Sequence, residues 1–313
     1  MTPPRLLLVN YHYIREATYP FPGIHPLHPS DFRNQIVWLK DRVQMARPDD
    51  VIDYAIHGRP LPSTSVFLTF DDGLRDHGRI ARDVLNPMGL RAAFFVCSRP
   101  AVNRRALTVH KVHWLRAHTP PEIFAEEFFA LLPDEAAAAI DCSHAAAAAA
   151  MYIYDPPQIG RVKYALNFLL DPHHVDEITS QMLQSQGIDE KDFCAMLYMD
   201  ESELADLTTQ GHVVGIHGHS HIPFSRLGSQ LFTDVGTDAE FISRATGYQP
   251  TWVSYPYGRD DAIPSDAILA ALFRRFGLQI GVTLTGTWIE QPANPRRLQR
   301  INTNQLIEVA AMQ

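Results

Sequence analysis

Six short apolar runs, separated in part by helical patterns, constrain the fold of this chain more than any other feature. The runs are rich in β-branched and aromatic residues, and continuous apolar runs of this length suit strands buried on both faces of a parallel sheet. They are RLLLVN (5–10), SVFLTF (65–70), AAFFVC (92–97), HVVGIH (212–217), TWVSYP (251–256) and LQIGVTL (278–284). Glycines follow several of the helical patterns, as expected at helix ends. The alternation predicts an α/β fold, and we expect a barrel.

The alternation stops between about residues 104 and 195, where helical patterns follow one another. The chain has 313 residues, and α/β barrels routinely run to about 250 residues or more as one unit. We therefore expect a single domain over residues 1–313, with a helical insertion at 104–195. Two roles stay open for the insertion: a lid or wall over a substrate, or a dimerisation or packing module.

Composition and charge exclude several classes of function. The hydrophobic content of 46% and charged content of 20% are ordinary for a soluble globular protein. A net charge of -8 argues against a general nucleic-acid binder. No window approaches the ~18 apolar residues of a membrane span, and the run LLLV near the start is shorter than the ~7–15 residues of a signal-peptide core. We expect a cytoplasmic protein with no membrane span and no nucleic-acid partner.

Polar residues stand where two of the predicted strands end. SVFLTF runs directly into Asp71-Asp72-Gly73, and HVVGIH ends at His217. The carboxyl ends of barrel strands converge on the active site, so these residues can meet there. Two imidazoles and a carboxylate form a familiar site for catalytic zinc, but His217 and His221 share one ion only if the backbone bends helically at Gly218. On their own, the carboxylates are also compatible with a plain turn and the histidines with a solvated loop.

Three stretches occur in an order that is found in a known family. They are TFDDG (69–73), HGHSH (217–221) and SYPYG (254–258). They resemble the first, second and third motifs of the polysaccharide deacetylases, which form carbohydrate esterase family 4 with its NodB-homology domain. The resemblance extends from Tyr11 to about Ile301, outside the insertion.

The resemblance implies a deformed, TIM-like (β/α)7 barrel and a metal-dependent hydrolase that removes an N-acetyl or O-acetyl group from a sugar. Asp71 would be the general base, and Asp72, His217 and His221 would hold one divalent ion, with Zn²⁺ expected first and Co²⁺, Ni²⁺ or Mn²⁺ as alternatives. Metal-bound water would attack the carbonyl as Asp71 accepts its proton. The backbone N–H of Tyr257 would stabilise the oxyanion.

Two departures from the family pattern affect the catalytic assignments. Ser254 stands where the family often has an arginine that pairs with the catalytic aspartate, and no other residue of that motif supplies a positive charge. No histidine follows His221, although the family commonly has a late histidine as general acid. We expect a substitute proton donor and name His12, after the first strand; the alternative is a hydrogen-bonded structural histidine.

Three further residues are candidates for contact with substrate: Tyr255 and Tyr257 in the third motif, and His110 at the entry to the insertion, where a plain surface loop is the alternative. His219 is expected to point away from the metal or toward substrate.

The expected substrate is an acetylated sugar that is nucleotide-linked, lipid-linked or part of an oligosaccharide, in O-antigen, capsule or other surface-polysaccharide biosynthesis. Two other functions stay open. One is an allantoinase-like hydrolysis of a non-sugar amide, and the other is a non-catalytic glycan-binding protein that retains the metal. The intact Asp71–Asp72 pair argues against the second, because a binding module has no need of a base beside the metal.

Overall fold

A parallel β-barrel lies in the larger of two units into which the chain divides in the computed structural model, which describes residues 3–133, 144–152 and 156–306. The barrel unit comprises residues 1–16, 26–103 and 195–313, and the helical unit comprises residues 17–25 and 104–194. The sequence predicted a helical insertion at 104–195 within a single domain. That domain organisation stays a prediction.

The strands of the barrel unit are all parallel to their neighbours in the sheet. They are β1 (Leu6–Tyr11), β2 (Gln44–Met45), β3 (Ser65–Phe70), β4 (Ala92–Val96), β5 (Val213–Ile216), β6 (Trp252–Ser254), β7 (Ile280–Val282) and β8 (Arg300–Asn302). Their order is β7-β6-β5-β4-β3-β1-β8, with the short β2 beside β3. Each of the six predicted apolar runs contains a strand, whereas β2 and β8 were not predicted.

The two ends of this strand order are β7 and β8, and β7 pairs with the residues just before β8. Val282 forms a parallel bridge with Leu298, whose backbone N–H donates to the carbonyl of Gly281 at 2.8 Å. The backbone N–H of Thr283 donates in turn to the carbonyl of Leu298 at 2.9 Å. The seven strands other than β2 therefore form a nearly closed ring, and the predicted (β/α)7 barrel is confirmed.

Along the chain, the α-helices of the described residues lie between β1 and β7. They are α1 (Pro29–Lys40), α2 (Pro48–Ala55), α3 (Arg75–Ile80), α4 (Arg99–Val102), α5 (Thr108–His118), α6 (Pro121–Ala130), α7 (Ala145–Met151), α8 (Pro157–Tyr164), α9 (Pro172–Ser185), α10 (Glu190–Leu197), α11 (Glu201–Thr209), α12 (Leu231–Thr246) and α13 (Asp266–Phe276). One π-helical turn (Ala81–Leu85) continues α3, and another (Ala165–Leu169) continues α8. Glycines with positive φ, Gly247 and Gly277, end α12 and α13.

Alternation along the strands explains why their apolar runs are continuous. In β1, Leu7 and Val9 belong to the cluster that contains the α1 residues Phe32 and Ile36. Leu6 and Leu8 belong to a second cluster, formed with inward residues of other strands such as Phe67, Phe95 and Trp252. Side chains alternate with period two, so every second residue of a strand points inward and this inward row continues at the strand end. The residues that continue the inward rows are 10 and 12, 69 and 71, 217, 254 and 300. These rows supply the polar residues described below.

The helical unit has its own core of apolar side chains, including Leu115, Phe124, Phe128, Val162 and Leu183. Lys111 is fully buried there, with its ammonium 2.6 Å from Asp176 and 3.3 Å from Glu190. In the described part of the chain, no helix combines the length and apolar character needed to cross a membrane.

Candidate metal centre and active site

The first motif turns two adjacent carboxylates toward one end of the barrel. β3 ends at Phe70, and Asp71 continues its inward row. Asp72 and Gly73 then adopt positive φ angles of 77° and 67°. This conformation is uncommon for a residue other than glycine, and it departs from the alternation that would place the second carboxylate opposite the first. Both aspartates are buried, with 3% and 4% exposure.

The second motif returns its last histidine toward its first. β5 ends at Ile216, and Gly218 has a φ of 80°. A Cβ atom at Gly218 would lie 2.8 Å from the Phe224 ring, so glycine is required by space as well as by conformation. His221 also has a positive φ, of 58°. The loop contains no helical turn, so the prediction of a helical bend after His217 is wrong. Residues with left-handed φ angles make the reversal instead.

The structure brings the three predicted metal ligands together. Asp72 Oδ1 lies 3.4 Å from Nε2 of His217 and 3.4 Å from Nε2 of His221, and the three candidate ligand atoms all lie within 4.8 Å of one another. The imidazole Nδ1 of His217 is 2.8 Å from the carbonyl of Ser254. A carbonyl only accepts, so Nδ1 carries the proton and the Nε2 lone pair is directed to the ligand side. Two imidazoles and a carboxylate are the donor set of catalytic zinc sites, and the residues therefore fit such an ion.

Asp71 is held by an arginine that sequence analysis missed. The guanidinium of Arg300, in β8, donates to Oδ1 of Asp71 at 2.9 Å and to Oδ2 at 2.8 Å. The Ser254 hydroxyl accepts from the same guanidinium at 2.8 Å and donates to Asp71 Oδ2 at 3.2 Å. The positive charge that Ser254 does not provide is therefore supplied by the next strand but one, β8. The only available signal was the inward position of Arg300 in LQRIN, a segment that was not predicted as a strand.

Arg300 is 1% exposed and is anchored on all sides by the barrel. Its Nε donates to the carbonyl of Thr283 at 2.9 Å, and one terminal nitrogen donates to the side-chain oxygens of Asn10 and Thr69 at 3.0 and 3.1 Å. Burial alone would raise the pKa of Asp71, but the charge and hydrogen bonds of Arg300, with the nearby His217, hold that pKa below its usual range. Asp71 is therefore ionised at neutral pH.

Charge also perturbs His217, which is fully enclosed. Burial would lower its pKa, but the charges of Asp71 and Asp72 and the hydrogen bond to Ser254 outweigh burial and raise the pKa above its ordinary value. His217 Nε2 lies 3.9 Å from Asp71 Oδ2. The carboxylates of the first motif and the first histidine of the second motif thus form one electrostatic unit.

Two more candidates, His12 and Tyr257, lie near this charged cluster and are partly exposed. His12 follows β1, and its Nε2 lies 4.0 Å from Asp72 Oδ2 while 39% of its side chain is exposed. Tyr257 is 44% exposed and has a φ of 65°, and its ring centroid is 5.2 Å from that of His221. Positive φ at Asp72, His221 and Tyr257 places three strained backbone positions at one site, as is common at functional sites.

Three other residues considered from the sequence are Tyr255, His110 and His219. Tyr255 is fully buried, and its hydroxyl donates to the carbonyl of Arg296 at 2.7 Å. His110 is 1% exposed within the helical unit. Both side chains are buried, and their contact with substrate stays a prediction. His219 Nδ1 lies 2.9 Å from the Ser98 hydroxyl, and burial with the nearby charge of Arg99 lowers the pKa of His219 to about 4.

A polysaccharide deacetylase family model matches residues 165–281. The matched segment contains the HGHSH and SYPYG motifs and ends before Arg300, while the carboxylates of the first motif lie outside it. No curated protein matches the chain.

Solved structures, two of which are described as deacetylases, share the fold over nearly the whole chain. IcaB from Ammonifex degensii is 15% identical, with a TM-score of 0.59 over 98% of this chain and 96% of that chain. The Streptococcus pyogenes deacetylase PplD is 14% identical, with a TM-score of 0.58 over 98% and 99%. The BpsB deacetylase domain from Bordetella bronchiseptica is 13% identical, with a TM-score of 0.54 over 95% of each chain. The chain thus has the fold of the polysaccharide deacetylases, and the family resemblance predicted from its three motifs is confirmed.

Proposed function

We propose that this protein is a metal-dependent hydrolase that removes an acetyl group from a sugar. The observation that carries this proposal is the position of an ionised carboxylate, Asp71, beside the Asp72–His217–His221 donor set. A divalent ion bound there, with Zn²⁺ first and Co²⁺, Ni²⁺ or Mn²⁺ as alternatives, would polarise the acetyl carbonyl and acidify water. The residues of the chain supply the remaining parts of the reaction.

Asp71 is the proposed general base. Its pKa is held low by Arg300, so it is ready to accept a proton but accepts one only from an acid stronger than bulk water. This is why a bound cation and Asp71 have to act together. Asp72 is the proposed ligand of the pair, because its Oδ1 faces both imidazoles.

The remaining roles fall to the accessible residues. His12 is the proposed proton donor to the leaving amine or alcohol, since its partly exposed ring lies 4.0 Å from Asp72. The backbone N–H of Tyr257 is the proposed donor to the oxyanion that forms as water adds to the carbonyl. The Tyr257 ring, which is 44% exposed, is the proposed contact with the sugar.

The proposed substrate is an acetylated sugar. The support comes from the shared fold, since solved neighbours include a polysaccharide deacetylase from Bacillus cereus, of which this chain covers 65%, and the deacetylase PplD. The experiment compares nucleotide-linked, lipid-linked and oligomeric N-acetylated sugars, and an O-acetylated sugar, by acetate release with Zn²⁺ or Co²⁺ supplied. Asp71→Asn is the matched control, because it keeps the shape and size of the side chain.

We expect the wild-type protein to release acetate. We expect Asp71→Asn to bind the ion still but to release acetate ~10²–10⁴-fold more slowly. Release of ammonia or of a non-acetyl product from a non-sugar amide, with none from any sugar, would instead favour the allantoinase-like reaction. Binding of glycan without turnover by the wild-type protein would favour the non-catalytic alternative.

A further inference from the structure

Helix α12 carries an aspartate, Asp238, that contacts the loop of residues 217–221. Asp238 is fully buried, and it accepts three backbone N–H groups. Its Oδ1 accepts from Ser98 at 2.6 Å, and its Oδ2 accepts from His217 at 3.0 Å and from Gly218 at 3.1 Å. Ser98 follows β4, whereas His217 and Gly218 follow β5. One side chain therefore joins the ends of two neighbouring strands.

The same face of α12 makes a second contact with this loop. Asp234, four residues earlier and hence on the same side of the helix, accepts the backbone N–H of Ser220 at 3.1 Å. A Cβ atom at Gly218 would lie 3.1 Å from Asp234 Oδ2, so the loop packs directly against this carboxylate. The loop is also tied to the β4 end, because the backbone N–H of Arg99 donates to the carbonyl of His219 at 3.3 Å.

These bonds act on the part of the loop whose conformation decides where the imidazoles point. Gly218 has the left-handed φ that starts the reversal between His217 and His221, and its N–H is fixed by Asp238. Backbone amides that converge on the two oxygens of one buried side chain stabilise one arrangement of the loop, since buried polar groups need their hydrogen bonds. Partners beyond the direct ligands commonly set the orientation and affinity of a metal site.

We propose that Asp238 is a positioning residue that holds the loop of residues 217–221 in the conformation that directs His217 and His221 at Asp72 before an ion binds. The inference rests on the proposed metal site. Asp238 itself does not ligate the ion, because its two oxygens are occupied by backbone amides of the loop ends.

The experiment compares wild type, Asp238→Asn and a matched control, His212→Gln. Asparagine keeps the shape but turns an NH₂ group toward backbone N–H donors. His212 is a buried polar residue at the start of β5, where its Nδ1 accepts the backbone N–H of Ala92 at 3.1 Å, so it sits at the opposite ends of the same two strands. Co²⁺ affinity is measured by visible absorption, thermal midpoint by circular dichroism, and amide hydrogen exchange on the metal-free proteins.

We expect Asp238→Asn to weaken Co²⁺ binding by ~10–100-fold and to speed exchange at the amides of Gly218 and Ser98. We expect His212→Gln to lower the thermal midpoint while leaving Co²⁺ affinity unchanged. Wild-type affinity in Asp238→Asn, or an equal loss in His212→Gln, would overturn the inference and leave the metal site standing. Failure of the wild-type protein to bind Co²⁺ would instead overturn the metal site itself.

Exchange in the metal-free wild-type protein gives a test that needs no variant. The amides of Gly218 and Ser98 are expected to exchange slowly, although both lie in loops. Exchange as fast as that of exposed loop amides would show that Asp238 does not hold them, and would overturn the inference even if Asp238→Asn did not fold.

Discussion

Arg300 and Asp71 are joined by two parallel hydrogen bonds, of 2.9 and 2.8 Å, across 229 residues of sequence. A bidentate pair of this kind fixes the orientation of the carboxylate as well as its charge. In this chain the arginine comes from β8, and a serine stands at the position in the third motif where the related family often has arginine. In this chain Asp71 thus receives its positive charge from β8 and not from the third motif.

Removal of Arg300 is therefore expected to be costly. Arg300→Met would leave Asp71 buried without its cation, and losing one partner of a buried pair costs about 3–5 kcal/mol. The free energy of unfolding from urea titration measures this. Arg300→Met combined with Asp71→Asn is expected to recover part of the loss, because the uncompensated charge is gone. A loss below about 1 kcal/mol in the single variant would show that the pair does not stabilise the barrel.

The three histidines of the HGHSH motif are expected to differ in their effect on metal binding. His217→Ala and His221→Ala each remove one of the three proposed ligands and should abolish stoichiometric Zn²⁺ binding. His219→Ala should preserve it, because the His219 ring faces the Ser98 hydroxyl. Metal content after dialysis, measured by atomic emission, decides the matter. Loss of metal in His219→Ala as complete as in His217→Ala would contradict the assigned ligand set.

His12 is expected to affect turnover but not metal binding. His12→Gln removes the proposed proton donor, and general acid catalysis contributes typically ~10²–10⁴-fold to kcat. Unchanged kcat would assign His12 to a structural role, in line with its backbone carbonyl accepting from His77.

Stability is expected to fall in mild acid because of His212. Its Nδ1 accepts a backbone N–H and its Nε2 contacts Asn86 Oδ1, and burial with the charge of Arg91 lowers its pKa to about 4. The unfolded state, with a pKa near 6.5, then binds more protons between pH 6.5 and 4. The contribution is complete above pH 6.5 and is lost as the pH falls to 4, by about 3 kcal/mol in all.

Denaturant titrations at pH 7 and pH 4.5 give the free energy of unfolding at each pH. The decrease from pH 7 to pH 4.5 should be larger for the wild-type protein than for His212→Gln, which cannot take up the proton. Equal decreases for the two proteins would contradict the assignment of the titration to His212.

Local patterns in the sequence predicted the barrel and the proposed ligands, because each is encoded in a short stretch. The six apolar runs mark strands buried on both faces, and the DDG and HGHSH stretches each follow such a strand directly. The β8 strand is three residues long and has no apolar run, so its inward Arg300 could not be placed. The reversal after His217 was expected to be helical, but left-handed φ angles at Gly218 and His221 depend on packing against Phe224 and α12. Burial of Tyr255 and His110 likewise depends on tertiary contacts.

Titration of the metal-free protein with Zn²⁺, with acetate release from an N-acetylated oligosaccharide as the readout, tests metal-dependent deacetylation. We expect no release without metal, a rate that rises to a break at one equivalent, and no such rise in His221→Ala. Release that is independent of added metal and resistant to a chelator, or the same metal response in His221→Ala, would contradict this expectation.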